Sequence, residues 1–184
     1  PSQSSAASDV YKRQMVARRK AGYTLADITP IAATGGHQMG IVALTNRGWK
    51  NFGDVIKAAK AGQTIRFGVM SPRLADIAYL LGKVNQVRFE IVSFNGAKGV
   101  MNALGAGDAD VGFGDGIQAD GVKAGTLVNL ASAIREPLRL SPDAPLLGQF
   151  GGKFAADNYM LFAAPASLPA ACLLYTSDAA DDCE

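Results

Sequence analysis

Residues 64–74 read TIRFGVMSPRL, and they set the class of the fold. Ile65, Phe67 and Val69 alternate with other residues at the two-residue period of a strand. Ser71 and Pro72 then stand where an N-cap and a first helical residue belong. A serine hydroxyl accepts an orphan helix N–H there, and proline lacks only the donor that would go unused. Leu74, Ile77, Ala78 and Leu81 follow at helical spacing to about Val84. A strand that runs straight into a helix is half of a βαβ unit.

The same alternation extends in both directions. Towards the amino end, Gly40 to Asn46 is a short apolar run with the look of a buried strand, and Asn51 to Ala61 carries Phe52, Val55, Ile56 and Ala59 on one helical face before Gly62. Towards the carboxyl end, Val87 to Phe94 alternates as a strand, and Ala97 to Leu104 is a short helix closed by Gly105. Ala109 to Phe113 is a brief strand opening on Gly114-Asp115-Gly116, followed by a helix to Ala124 and a strand from Thr126 to Ile134. Residues 137–150 read as loop and short helix, and Asn158 to Ala164 is the last strand, stopped by Pro165. The pattern predicts an α/β fold with a mostly parallel sheet flanked by helices.

In such sheets ligands sit beyond the carboxyl ends of the strands, where loops lead into helix starts. Three loops qualify: Met70 to Arg73, Phe94 to Ala97, and Gly114 to Gly116. Each offers backbone N–H groups to an anion. Ser71, Pro72 and Arg73 are therefore expected to form one part of a site, Phe94, Asn95, Gly96 and Ala97 a second, and Asp115 with Gly116 a third. Ser71 and Arg73 suit a carboxylate, while Asp115 suits a ligand hydroxyl, a bridging water, or the cap of the next helix.

The chain has 184 residues, 48% of them hydrophobic and 18% charged, with 21 Gly, two Cys and one His. That is enough apolar material for the core of one domain and argues against disorder; no apolar run reaches the roughly 18 residues of a membrane span. Both ends read differently. Ser4 to Gln14 and Cys172 to Asp182 can be written in codons so that one is nearly the reverse complement of the other, a relation that no folding constraint produces. They resemble a translated sequencing adapter, so residues 1–14 and 172–184 are expected to be artefact, with the reading frame open at both ends. Without them 157 residues remain, with a net charge of about +5 and no cysteine. A Cys-based zinc site, an iron–sulfur cluster, a disulfide and a thiol nucleophile are thereby excluded from that segment.

Catalytic alternatives are weak. His37 stands in Gly35-Gly36-His37-Gln38 without a GxSxG elbow elsewhere, so it reads as a loop or hinge histidine; an enzyme built on Asp115 and His37 is the rival reading. The run GAGDADVGFGDG, residues 105–116, lacks the closing Glu of a calcium loop and the Gly-Lys-Ser/Thr of a phosphate loop. Basic residues are scattered, and Arg18-Arg19-Lys20 reads as a solvated helix face, so nucleic acid is not expected as a partner. No metal, cofactor or catalytic residue is expected.

Several stretches together resemble the solute-binding receptors of tripartite tricarboxylate transporters. They are Asp27 to Ala32 (DITPIA), the helix from Phe52 to Gly62, Phe94-Asn95-Gly96, Ala103 to Val111 (ALGAGDADV), Lys123 to Leu127 with Leu130-Ala131, Arg139-Leu140 with Pro142 and Pro145, and Leu161 to Pro165 with Pro169. The chain departs from that family where its Ser-x-Gly-x-Gly loop appears as Ser71-Pro72-Arg73-Leu74, its Tyr-Lys-Gly as Phe94-Asn95-Gly96, and its Pro-Thr-x-x-Glu as residues 145–149. The resemblance implies a type II periplasmic-binding-protein fold of two lobes, present as a fragment. Residues 15–46 would be a remnant of lobe one, 47–157 lobe two, and 158–171 the strand returning to lobe one. It further implies a monomeric, periplasmic, non-enzymatic receptor that takes a small organic carboxylate and hands it to membrane permease subunits. The effector-binding domain of a transcriptional regulator sensing a small organic acid is the competing class.

Overall fold

The computed structural model describes residues 22, 24–151 and 155–168. The adapter-like ends, the Arg18-Arg19-Lys20 cluster and Pro169 lie outside the described residues. The chain divides into two compact units, one spanning His37–Asp157 and the other formed by the residues on either side of it.

The His37–Asp157 unit is built on a five-stranded sheet. Its strands are β2 (Met39–Leu44), β3 (Arg66–Val69), β4 (Glu90–Ser93), β5 (Val111–Asp115) and β6 (Leu127–Ser132), in the order β4-β3-β5-β2-β6. β3 is parallel to both β4 and β5, whereas β2 runs antiparallel to β5 and to β6. Four strands thus share one direction, and β2 alone is reversed. The boundary expected between residues 46 and 47 falls just after β2, and the compact units divide at Gly36 and His37.

Strand alternation sends Ile41, Phe67, Val69, Val111 and Phe113 to one face, where helices α1 (Phe52–Lys60) and α2 (Pro72–Val84) bury Phe52, Val55, Leu74, Ile77 and Leu81 against them. At its centre Phe67 packs edge-on against Phe52 and Phe89 and lies tilted against Phe113, with ring centroids 5.1–6.2 Å apart. On the other face, α3 (Gly96–Ala106) packs Ala103 and Leu104 with Val42 and Ala109. Gly68 and Gly112 are cross-strand partners under α3, and a Cβ on Gly112 would come within 2.4 Å of Val100 Cγ1. Bare glycine backbone is what lets α3 approach this closely. The short helix α4 (Ala119–Lys123) contacts β6.

Local chemistry explains the ends of the elements. Asp54 closes the start of α1 by accepting from the N–H groups of Lys50 and Asn51. α3 does not stop at Gly105 as expected. It runs to Ala106, where Gly107 adopts φ +81° and the N–H groups of Gly107 and Asp108 reach back to Leu104 O and Ala103 O, a Schellman closure. β4 is shorter than expected, starting at Glu90, although Phe89 before it is buried in the aromatic cluster.

The second unit contains a strand that the sequence reading did not include. β1 (Ile28–Gly36) pairs antiparallel with β7 (Tyr159–Pro165), from Ile28 opposite Pro165 to Gly36 opposite Tyr159, with irregularities at Pro30/Ala32 and Ala33/Gly35.

Candidate functional site

At the amino end of the five-stranded sheet, the buried Asp110 is matched by two arginines. Asp110, 3% exposed, accepts from the backbone N–H of Arg66 at 2.8 Å, from Arg66 Nε at 3.1 Å and its terminal amino group at 3.0 Å, and from Arg47. Burial alone would push this carboxyl up, but the Arg66 guanidinium and N–H, with the Arg47 charge, together hold it below the usual carboxylate range.

The carboxyl end is different. Because β3, β4 and β5 are parallel neighbours, the three loops read from the sequence all open on this one edge: Asn95 after β4, Ser71 after β3, Asp115 ending β5. The reversal of β2 adds a fourth contributor, since its first residue, Met39, is the cross-strand partner of Asp115. Gln38 and His37 therefore arrive at the edge beside Asp115, and β6 delivers Ala133 to Glu136 on the far side.

Each predicted residue has a defined place. Ser71 caps α2, its Oγ accepting from Leu74 N at 3.4 Å, and Pro72 is exposed at the first helical position. Arg73 is turned to main chain: its two terminal amino groups donate to Asp157 O and Ala155 O, each at 3.0 Å. Phe94 is half-buried beneath α3 with Val42 and Leu104, so it packs in the core of that face. Asn95 and Gly96 are exposed at the start of α3, Gly96 with φ +69°, and Ala97 is half-buried. The N–H of Gly116, expected to be open to a ligand, donates instead to Gln118 Oε1 at 2.8 Å, and α4 starts only at Ala119.

Asp115 is three-quarters buried beside His37, with Nδ1 of His37 2.8 Å from its Oδ1. That oxygen is shielded from solvent and no aligned donor is hydrogen-bonded to it among the described residues. Burial pushes the Asp115 carboxyl up, and the His37 contact only partly opposes this. A carboxylate kept at such a cost in a strand-end loop marks a functional candidate. His37 was set apart in the sequence as a hinge or loop residue; its pairing with Asp115 across 78 positions depends on the antiparallel β2–β5 register, which periodicity does not encode.

Three further groups at the edge carried no sequence signal. Gln118, 4% exposed, donates from Nε2 to Gln38 O at 2.9 Å, and Gln38 Oε1 accepts from Arg139 N at 2.7 Å. Asp157 accepts from Arg135 N at 3.1 Å and pairs with Arg135 Nε at 3.3 Å. Arg73 and Arg135 thus bring two guanidinium groups to an edge whose acids include Asp115 and Asp157. Chemically, the edge combines guanidinium donors with one carboxylate whose shielded oxygen can still accept a hydrogen bond.

No family model matches the chain, and no curated protein does. Among solved structures it is similar to a TctC solute-binding protein from Polaromonas, with 18% identity and a TM-score of 0.70 over 94% of this chain and 60% of that one. An R. palustris protein solved with adipate has 17% identity and a TM-score of 0.70 over 85% of this chain and 54% of that one. MatC from Rhodopseudomonas palustris with bound malate has 18% identity and a TM-score of 0.67 over 92% and 60%. The chain spans about 54–60% of the length of these proteins and shares their fold, the α/β type II periplasmic-binding-protein fold.

Proposed function

We propose that the chain belongs to an extracytoplasmic solute-binding receptor that captures a small organic carboxylate for a tripartite tricarboxylate-type transporter and catalyses no reaction. The observation that carries this reading is the convergence of the Ser71, Asn95 and Asp115 loops on one sheet edge in a fold shared with adipate- and malate-bound proteins. In this reading residues 37–157 form lobe two, and the segments on either side belong to lobe one. A carboxylate rests at the start of α2, beside the Ser71 hydroxyl and the Arg73 charge. The start of α3 at Asn95, Gly96 and Ala97 takes a second oxygen group, and Asp115 accepts from a ligand hydroxyl or a bridging water. Closure of the lobes signals occupancy to permease subunits in the membrane, which places the receptor in the periplasm.

Thermal unfolding of the full chain against malate, adipate, tricarboxylates and aromatic acids tests this. A ligand at 100 times its Kd stabilises by about 2.7 kcal/mol, a shift of several degrees. The shift is expected to be largest with one acid, lost in Ser71→Ala and weakened in Asp115→Ala, each compared with its own ligand-free melt. A folded protein that responds to none of these acids overturns the carboxylate reading.

A further inference from the structure

The chain passes between its two units twice, after Gly36 and after Asp157, and Gly36 and Tyr159 on the outer side of these passages are strand partners. Inside the His37–Asp157 unit both passages are held by side chains from the strand-end edge. The first is held by Asp115 facing His37 and by Gln118 donating to Gln38 O. The second lies in a segment outside the helices and strands, residues 155–158, and Arg73 grips it from the first turn of α2. The planar guanidinium places its two amino groups on the carbonyls of Ala155 and Asp157, a fit that an ammonium cannot reproduce.

We propose that Arg73 is a positioning residue that couples the solute site to the second passage. It sits two residues after Ser71, so an anion bound at the start of α2 competes with Ala155 O and Asp157 O for the same guanidinium. A carboxylate is the stronger acceptor of the two, being charged. Occupancy therefore loosens the grip on residues 155–157 and frees the passage to flex. The competing anion depends on the receptor reading; the grip itself does not.

Amide hydrogen exchange of the full chain, resolved by residue, tests both parts. The reporter is the N–H of Ala156, which donates to Ala133 O at 2.7 Å, with the amides of Phe67 and Val69 in β3 as the reference. Arg73→Ala is expected to speed exchange at Ala156 by about tenfold or more while β3 is unchanged, since two charge-assisted hydrogen bonds are lost. Arg73→Lys keeps the charge and loses the fork, and is expected to do the same. Saturating malate or adipate speeds Ala156 in the wild type towards the variant rate and leaves the variants unaffected. Unchanged exchange at Ala156 in both variants, or an equal rise in β3, overturns the tether. A tether effect with no response to any acid retains the tether and overturns the carboxylate reading. An acid that shifts the melting temperature without altering Ala156 overturns the coupling alone.

Discussion

Asp110→Asn replaces a buried carboxylate by an amide in a cradle built from donors. The wild-type group accepts from a backbone N–H and from two arginines at 3% exposure. Asparagine keeps one acceptor oxygen but turns an NH₂ group towards N–H donors. Removing one partner of a buried ion pair costs about 3–5 kcal/mol. The lower end applies here, because the Arg47 and Arg66 side chains are 30% and 35% exposed and can turn to water. About 3 kcal/mol in a chain of this size lowers the melting temperature by on the order of 10 °C. The pH dependence follows from the same geometry. The folded carboxyl titrates below its unfolded value, so its contribution is present above the unfolded pKa of about 3.9 and is lost as pH falls through the folded pKa. Melts followed by circular dichroism from neutral pH into the acid range are expected to show a full gap between wild type and variant at pH 7 that closes below about pH 4. A shift under about 2 °C at pH 7, or a gap that persists unchanged into acid, refutes the argument.

Asp115→Asn is expected to behave in the opposite sense. Burial raises this carboxyl in the folded state, so the stability linked to it is present below the unfolded pKa and is lost as pH rises through the folded pKa; at pH 7 the variant should melt at the wild-type temperature or above it, and a large drop would refute the sign. Urea titration of two glycine variants locates the end of α3. Gly105→Ala, with open space around the new Cβ, should gain up to about 1 kcal/mol, whereas Gly107→Ala at φ +81° should lose about 1–2 kcal/mol. The reverse order would place the helix end elsewhere.

The elements legible in the sequence are those whose burial follows a period. Leu74, Ile77, Ala78 and Leu81 give α2 its buried face, and Ser71-Pro72 gives its start, so both were readable to the residue. β1 was not, because Pro30, Gly35 and Gly36 weaken the strand pattern and, among the described residues, its pairing is the irregular one with β7. The direction of β2 is not a local property either: an apolar run such as Gly40 to Leu44 reads alike in both directions, and only its neighbours β5 and β6 make it antiparallel. The site divides in the same way. Ser71, Asn95 and Asp115 were visible as strand-end positions, while His37, Gln118 and the grip of Arg73 on residues 155–157 arise from contacts 78–84 positions apart or from side-chain orientation. Two glycines two residues apart, Gly105 and Gly107, look equivalent as helix stops, and the choice falls to whichever allows Asp108 N–H to reach Ala103 O.

The two ends of the five-stranded sheet obey different rules. At the amino end Asp110 has donors on both oxygens, and its contribution to stability is positive at neutral pH. At the carboxyl end Asp115 keeps a buried oxygen with no aligned hydrogen bond among the described residues. Folding alone favours replacing such a group by one that is fully matched. In the proposed receptor a ligand supplies the missing donor to this carboxylate. A hydroxy acid carries such a donor, a simple alkyl diacid does not. In the thermal-shift panel malate should accordingly outrank adipate, and Asp115→Ala should erase that ranking while leaving a weaker response common to both acids.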